Sequence, residues 1–197
     1  MTVDMKQSFL KAIDQLDRSP RNSNFQTLRQ SAQSRVRELP FPTPRTEDWR
    51  FTNVAPIVQT PFEPAGPTAV VDESQLPAPS AADALRLTFV NGWFMPRLST
   101  IEQLPAGLAI GNLANATLEQ TLRLARIAAA DDQVFTALNT ALLHDGAFVL
   151  LSDHVVIQRP IELLYLVQAE RAKLAITPRT LVVLGKHSQA TLVERYQ

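Results

Sequence analysis

Eleven of the 14 prolines in this 197-residue chain fall between Pro40 and Pro105. Proline fixes φ and removes a backbone donor, which bars the stretch from being a long helix or a central strand. It reads as an irregular, extended connector, about residues 40–105, dividing a helical start from the remainder of the chain.

The start holds two amphipathic segments. In the first, Phe9, Ala12, Ile13 and Leu16 fall at helical spacing, and Ser19-Pro20 ends it. In the second, Asn24 is placed to cap, and Phe25, Leu28, Ala32, Val36 and Leu39 form one apolar stripe closed by Pro40. Two such helices joined by a short polar turn point to an antiparallel hairpin.

Within the connector, Leu85-Arg86-Leu87-Thr88-Phe89-Val90 alternates at period two and runs into Asn91-Gly92 and Trp93-Phe94-Met95. An Asn-Gly pair between such runs is the strongest short hairpin signal. Leu108-Ala109-Ile110 reads as a further short strand. Leu113 to Ala130 is Ala/Leu-rich and helical, with Thr117 as a cap. Asp131-Asp132 opens another helix with Phe135, Leu138 and Leu142 on its buried face, closed by Asp145-Gly146.

After Gly146 the pattern changes. Residues 148–151, 155–157, 160–167, 180–184 and 190–193 are short, rich in β-branched or large apolar residues, and separated by turn residues. No helical segment intervenes, so a βαβ sheet is not expected. A sandwich, a barrel and a stacked β-solenoid all fit. Residues 161–167 and 181–184 are apolar at both parities, as in strands covered on both faces. The class is therefore α+β, with a helical and hairpin domain over 1–146 and a strand domain over 147–197. The chain stops inside a strand-like run, Glu194-Arg195-Tyr196-Gln197, which reads as a truncation and leaves a last strand layer exposed to fraying or self-association.

Composition excludes several functions. With no cysteine, disulfides, thiolate zinc sites, cysteine nucleophiles and thiolate-ligated iron–sulfur clusters are ruled out within this chain. Lys+Arg and Asp+Glu are both 19, which argues against a dedicated nucleic-acid binder. No run of apolar residues is long enough for a transmembrane helix, and Met1–Arg18 lacks the grammar of a signal peptide, so a cytoplasmic protein is the expectation.

Individual chemical candidates read as structural. His144, His154 and His187 have no metal-ligand spacing among them. His144 sits near a helix C-terminus, where a cation is favoured. His154 follows Asp153 in a turn between strands. Glu47-Asp48 is a vicinal pair better suited to a helix start than to acid–base work. Trp49 reads as a pin holding the connector on the helices, and Trp93 as packing across the hairpin. No Gly-x-Ser-x-Gly elbow or phosphate-binding glycine loop occurs. No catalytic, cofactor-binding or metal-ligating residue is assigned, which favours a scaffold or interaction protein over an enzyme.

The order of motifs is informative. Leu39-Pro40-x-Pro42-Thr43-Pro44-Arg45-x-Glu47-Asp48-Trp49-Arg50-Phe51-Thr52-Asn53 resembles the segment after the first helices in the SufD family, which shares ancestry with SufB of the SUF iron–sulfur assembly machinery. Phe89-Val90-Asn91-Gly92, Ala137-Leu138-Asn139-Thr140-Ala141 with Asp145-Gly146, and Pro160-Ile161-x-Leu163 come next in the same order. Pro178-Arg179-x-Leu181-Val182-Val183-x-Gly185 with Leu192-Val193-Glu194-x-Tyr196 completes the series. The resemblance implies an N-terminal helical region followed by the first coils of a right-handed parallel β-helix. It implies a non-catalytic scaffold that pairs with a SufB-like subunit, and a SufC-like ATPase docked through a C-terminal helical region. Clusters would then be built at the level of the assembled complex, with no cofactor bound by this chain. The family's usually discussed residues, including a histidine facing SufB, lie in the later β-helix, and none maps to His144, His154 or His187. A carbohydrate-active β-helix enzyme and a stand-alone interaction module are the alternatives. The first would need acidic and basic residues converging on one face, and the strand region offers only Asp153, Glu162, Glu170 and Glu194 at scattered spacing.

Overall fold

A computed structural model describes residues 2–17, 25–67, 71–127, 129, 132–168 and 173–197. In chain order its elements begin with α1 (Thr2–Asp17), α2 (Gln26–Glu38), α3 (Ala55–Val58), β1 (Glu63–Pro64), β2 (Leu85–Val90), β3 (Trp93–Phe94) and β4 (Leu108–Asn112). They continue with α4 (Leu118–Ile127), α5 (Val134–Ala141), β5 (Ala147–Leu151), β6 (Ile161–Leu166), β7 (Leu174–Ala175), β8 (Thr180–Leu184) and β9 (Leu192–Tyr196). The class is α+β. The expected helix stop at Ser19-Pro20, the Asn24 cap and the Ala130-Asp131 boundary lie outside the described residues.

Contacts gather the chain into two compact units that interleave in sequence. One comprises Met1–Pro64, Thr117–Leu143 and Arg171–Thr177; the other Ala65–Ala116, His144–Glu170 and Pro178–Gln197.

In the helical unit the core joins Phe9, Ala12 and Ile13 of α1, Ala32 and Val36 of α2, and Ala137, Leu138, Ala141 and Leu142 of and just after α5. The main partner of α2 is α5 rather than α1. Alanines on both helices permit that approach. The buried face of α2 is also rotated from the apolar stripe, because it takes in Arg29 and Gln33 and leaves Leu28 half-exposed. The Arg29 guanidinium donates to the Leu143 carbonyl (3.3 Å), answering an acceptor just past the end of α5. Thr117 caps α4 by a reciprocal box: its Oγ1 accepts from Gln120 N–H (3.3 Å), and Gln120 Oε1 accepts from Thr117 N–H (2.8 Å).

The proline-rich segment, short of donors, adheres through rings. Phe41 lies 5.8 Å from Phe9 and 5.6 Å from Phe135, Trp49 lies 5.3 Å from Phe135, and Phe62 lies 6.1 Å from Phe9. Trp49 is half-buried, as befits a pin.

In the strand unit, β2 is buried at all six positions and lies inside a sheet of order β3-β2-β6-β9. An interior strand within the proline-rich stretch departs from the sequence expectation. It forms because the segment itself has no proline, and Pro96 limits only its partner β3 to two residues. The hairpin turns at Asn91 (φ 51°) and Gly92 (φ 81°), both left-handed as a type I′ turn requires. The Asn91 amide clamps Gln168, donating to its carbonyl and accepting its N–H, both at 2.9 Å. A second sheet runs β4-β5-β8. The pairs β2–β6, β6–β9 and β5–β8 are all parallel. Leu85, Leu87, Phe89, Val149, Ile161 and Leu163 lead the core between them.

Candidate functional site

From β5 and β8 into the turn that follows, the parallel pairing keeps one offset, while β6 and β9 pair Ile161 with Leu192. Asp153 and Lys186 are joined at a separation of 33 residues. The same offset relates Ala147 to Thr180 in β5–β8, and Val156 to Gln189 in a lone parallel bridge. Each traverse of the chain therefore lies directly against the next. The close fit is visible at two glycines. A Cβ on Gly146 would stand 1.9 Å from the Arg179 carbonyl oxygen, and one on Gly185 would stand 2.4 Å from the Asp153 nitrogen.

The last traverse, β8 and β9, forms the outer edge of both sheets among the described residues. Its burial is not that of a strand covered on both faces: Val182, Leu184 (53% exposed), Leu192 and Tyr196 (64% exposed) all reach solvent. Within 181–184, Leu181 is buried, while Val182 and Leu184 face solvent among the described residues. Such an edge offers unpaired backbone donors and acceptors together with an apolar surface, which is a template for another strand.

Two polar networks fix this edge to the traverse beneath it. Glu162 on β6 is fully buried and bridges outward in both directions. It accepts from Arg86 Nε (2.9 Å) on β2, from Arg195 Nη1 (3.1 Å) on β9 and from Ser80 N–H (3.2 Å). Arg86 and Arg195 spend further donors on the carbonyls of Pro77 (2.9 Å) and Ala78 (2.7 Å). Burial alone would raise the Glu162 carboxyl, but these hydrogen bonds and the Arg86 charge outweigh it and hold the carboxyl below the usual range. The second network is aromatic. Tyr165 stacks on Phe89 and on Tyr196, each at 5.0 Å. Tyr165 OH meets Thr180 Oγ1 (3.1 Å), which donates to Glu194 (2.7 Å). Burial, with the neighbouring Glu194 and Tyr196, pushes the Tyr165 phenol far above the ordinary tyrosine range.

The chemical candidates fall where a structural role places them. Asp145 is a buried hub, accepting from the backbone of Gly146 (2.9 Å), Ala114 (2.9 Å) and Phe94 (3.1 Å) and from the Asn112 amide. His144 is buried with its ring 4.6 Å from Trp93, whose indole N–H donates to the Ala65 carbonyl (3.1 Å). Glu47 and Asp48 are exposed at the start of a 3₁₀ turn. Phe51 is 89% exposed, with the Arg50 guanidinium 4.7 Å above its ring. His154 and His187, far apart in sequence, stack at 5.2 Å on consecutive turns. Spacing rules that look only a few residues ahead cannot see that pair, or the Arg86–Glu162 contact; the 33-residue offset of β5 and β8 reveals the first, and only the β2–β6 pairing, across 76 residues, reveals the second.

Within the helical unit a cavity of about 790 Å³ is lined by Leu10, Phe41, Pro42, Val54 and Val58, with Lys6 and Arg37 among its polar members. Lys6 donates to the Arg37 and Leu39 carbonyls, and burial lowers its ammonium. Among the described residues no helix is long and apolar enough to cross a membrane, and no group of three or more His, Asp or Glu is placed to hold a metal ion.

These features define a protein whose strand unit lays parallel strands in successive traverses beside a helical unit. The family profile described as the SufBD protein N-terminal region matches residues 5–163. An iron–sulfur cluster assembly SufBD family protein of Synechocystis is 31% identical over 175 residues, covering 85% of this chain and 38% of that protein. The iron–sulfur cluster assembly protein SufD of Bacillus subtilis is 23% identical over 203 residues, covering 98% of this chain and 46% of that protein. The chain belongs to the SufBD family, and it spans less than half the length of these relatives.

Proposed function

We propose that the chain is the opening part of a SufD-like scaffold in iron–sulfur cluster assembly, working with SufB-like and SufC-like partners and performing no chemistry itself. The stacked traverses are, on this reading, the first coils of a right-handed parallel β-helix. The observation that carries the proposal is the parallel pairing of β5 with β8 and β6 with β9, which lays one traverse on the next. Stacked parallel strands of this kind suit alignment with a partner's strands.

The chain has no cysteine, so the cluster is cargo of the assembled complex and is not cradled here. Of the carboxylates that a carbohydrate-active enzyme would need, the described ones are otherwise engaged, Glu162 by two arginines, Glu194 by Thr180 and Tyr196, and Asp153 by the Lys186 N–H, while Glu170 lies outside the described residues. A cytoplasmic setting belongs to the same proposal.

The test mixes the purified chain with a SufB-like subunit and a SufC-like ATPase and tracks co-elution by size exclusion. The expected result is a complex with the SufB-like subunit, from a chain that purifies without iron or sulfide. Absence of any complex, or turnover of a polyuronate by the chain alone, overturns the scaffold reading.

A further inference from the structure

We propose that His154 and His187 together form a surface site for one divalent transition-metal ion of the zinc, nickel or copper class. Their rings lie 5.2 Å apart and 22° from parallel, on the outside of equivalent turns of consecutive traverses. Both residues are exposed, so both are reachable from solvent.

The turns beneath them are rigidly nested. His154 N–H donates to the Lys186 carbonyl (2.7 Å), Gly185 N–H to the Leu151 carbonyl (2.8 Å), and Lys186 N–H to Asp153 Oδ1 (2.8 Å). The absent side chain of Gly185 is what permits this approach, since a Cβ there meets the Asp153 backbone. Both histidines also hold left-handed backbone, φ 63° and 57°, so the two turns share one conformation and project their side chains alike. The backbone spacing is therefore set before any ion arrives, which removes most of the ordering that a two-ligand site otherwise requires.

A metal–nitrogen bond of about 2.0–2.1 Å keeps two ligating nitrogens within roughly 4.2 Å. Exposed imidazoles 5.2 Å apart reach that by rotating about their side-chain torsions, without moving the backbone. Neutral imidazole suits zinc, nickel and copper, and the order of divalent affinities places ferrous iron below all three. The nearby charges, Asp153 and Lys186, are opposite in sign and leave the site without a strong field of its own. Water completes the coordination.

The experiment is calorimetric titration of the chain with Ni²⁺ and, separately, Zn²⁺ at pH 7.5, alongside histidine side-chain NMR. Three histidines make that spectrum simple. The expected result is one ion per chain, with the resonances of His154 and His187 moving together and that of His144 unmoved. H154Q and H187Q each weaken binding about tenfold or more, because each removes one of the two imidazole ligands. Both variants sit in exposed positions and leave the circular dichroism spectrum unchanged. Absence of a one-to-one event overturns the site, as does binding that survives either substitution or shifts the His144 resonance.

Discussion

Glu162 shows what one buried charge does in this protein. It has two arginines and a backbone N–H as partners, so its value lies in the network rather than in any single pair. Removing the carboxylate strands two guanidinium groups. E162Q is expected to lose about 3–5 kcal/mol in urea denaturation, whereas replacing Glu162, Arg86 and Arg195 together by apolar residues of similar volume loses less than E162Q alone. The sign of the pH effect is set by the depressed carboxyl. Its contribution is fully present above the unfolded value of about 4.3 and is lost as pH falls through the lower folded value. The wild-type chain should therefore lose stability below about pH 4.3 more steeply than E162Q. Equal acid profiles would assign Glu162 no linked proton.

At the scale of elements, the strand ladder makes its own prediction. Tyr165 and Tyr196 are the two tyrosines of the chain, and burial raises both phenols, Tyr165 by far the more. A raised folded pKa means that stability is intact below about pH 10 and falls above it, by about 1.4 kcal/mol per pH unit for each tyrosine so linked. Tyrosinate absorbance should report Tyr196 first, with the Tyr165 signal arriving only as circular dichroism is lost. If both tyrosines ionise in a folded chain, Tyr165 is less enclosed than its contacts require.

Elements specified by near neighbours were readable in the chain itself. The Asn91-Gly92 turn needs two left-handed residues and has the pair that accepts that conformation most readily. The Thr117 cap and the α5 face needed only local spacing. What could not be read depends on distant partners. Arg29 is buried because an acceptor 114 residues away meets it, and Arg86 because Glu162, 76 residues away, does. Arginine in an otherwise apolar face looks like a solvated position until its partner is known. The same reason hid the apposition of His154 and His187.

At the scale of the whole molecule, the prediction concerns β8 and β9, the last strands of their sheets among the described residues. Two copies meeting edge to edge would pair backbone groups that are otherwise solvated and cover Val182, Leu184 and Tyr196. The chain is expected to self-associate with rising concentration in sedimentation. The double variant V182K/L184K should weaken that step about tenfold or more while leaving the denaturation midpoint nearly unchanged, because both side chains are already exposed. A monomer at every concentration would remove the edge from consideration as a homotypic interface.

The order of strands within the larger sheet carries a temporal meaning. From β2 to β6 to β9, spatial sequence and chain sequence coincide, so each strand emerging from the ribosome finds its template already made by the one before. Synthesis then resembles the laying of successive courses, with the newest course always the unfinished one. At any moment the vulnerable surface is a single strand wide, and it moves outward as translation proceeds. Within this sheet the edge awaiting a partner moves outward from β2 to β6 to β9, while α2 and β1 await α5 and β7 further along the chain.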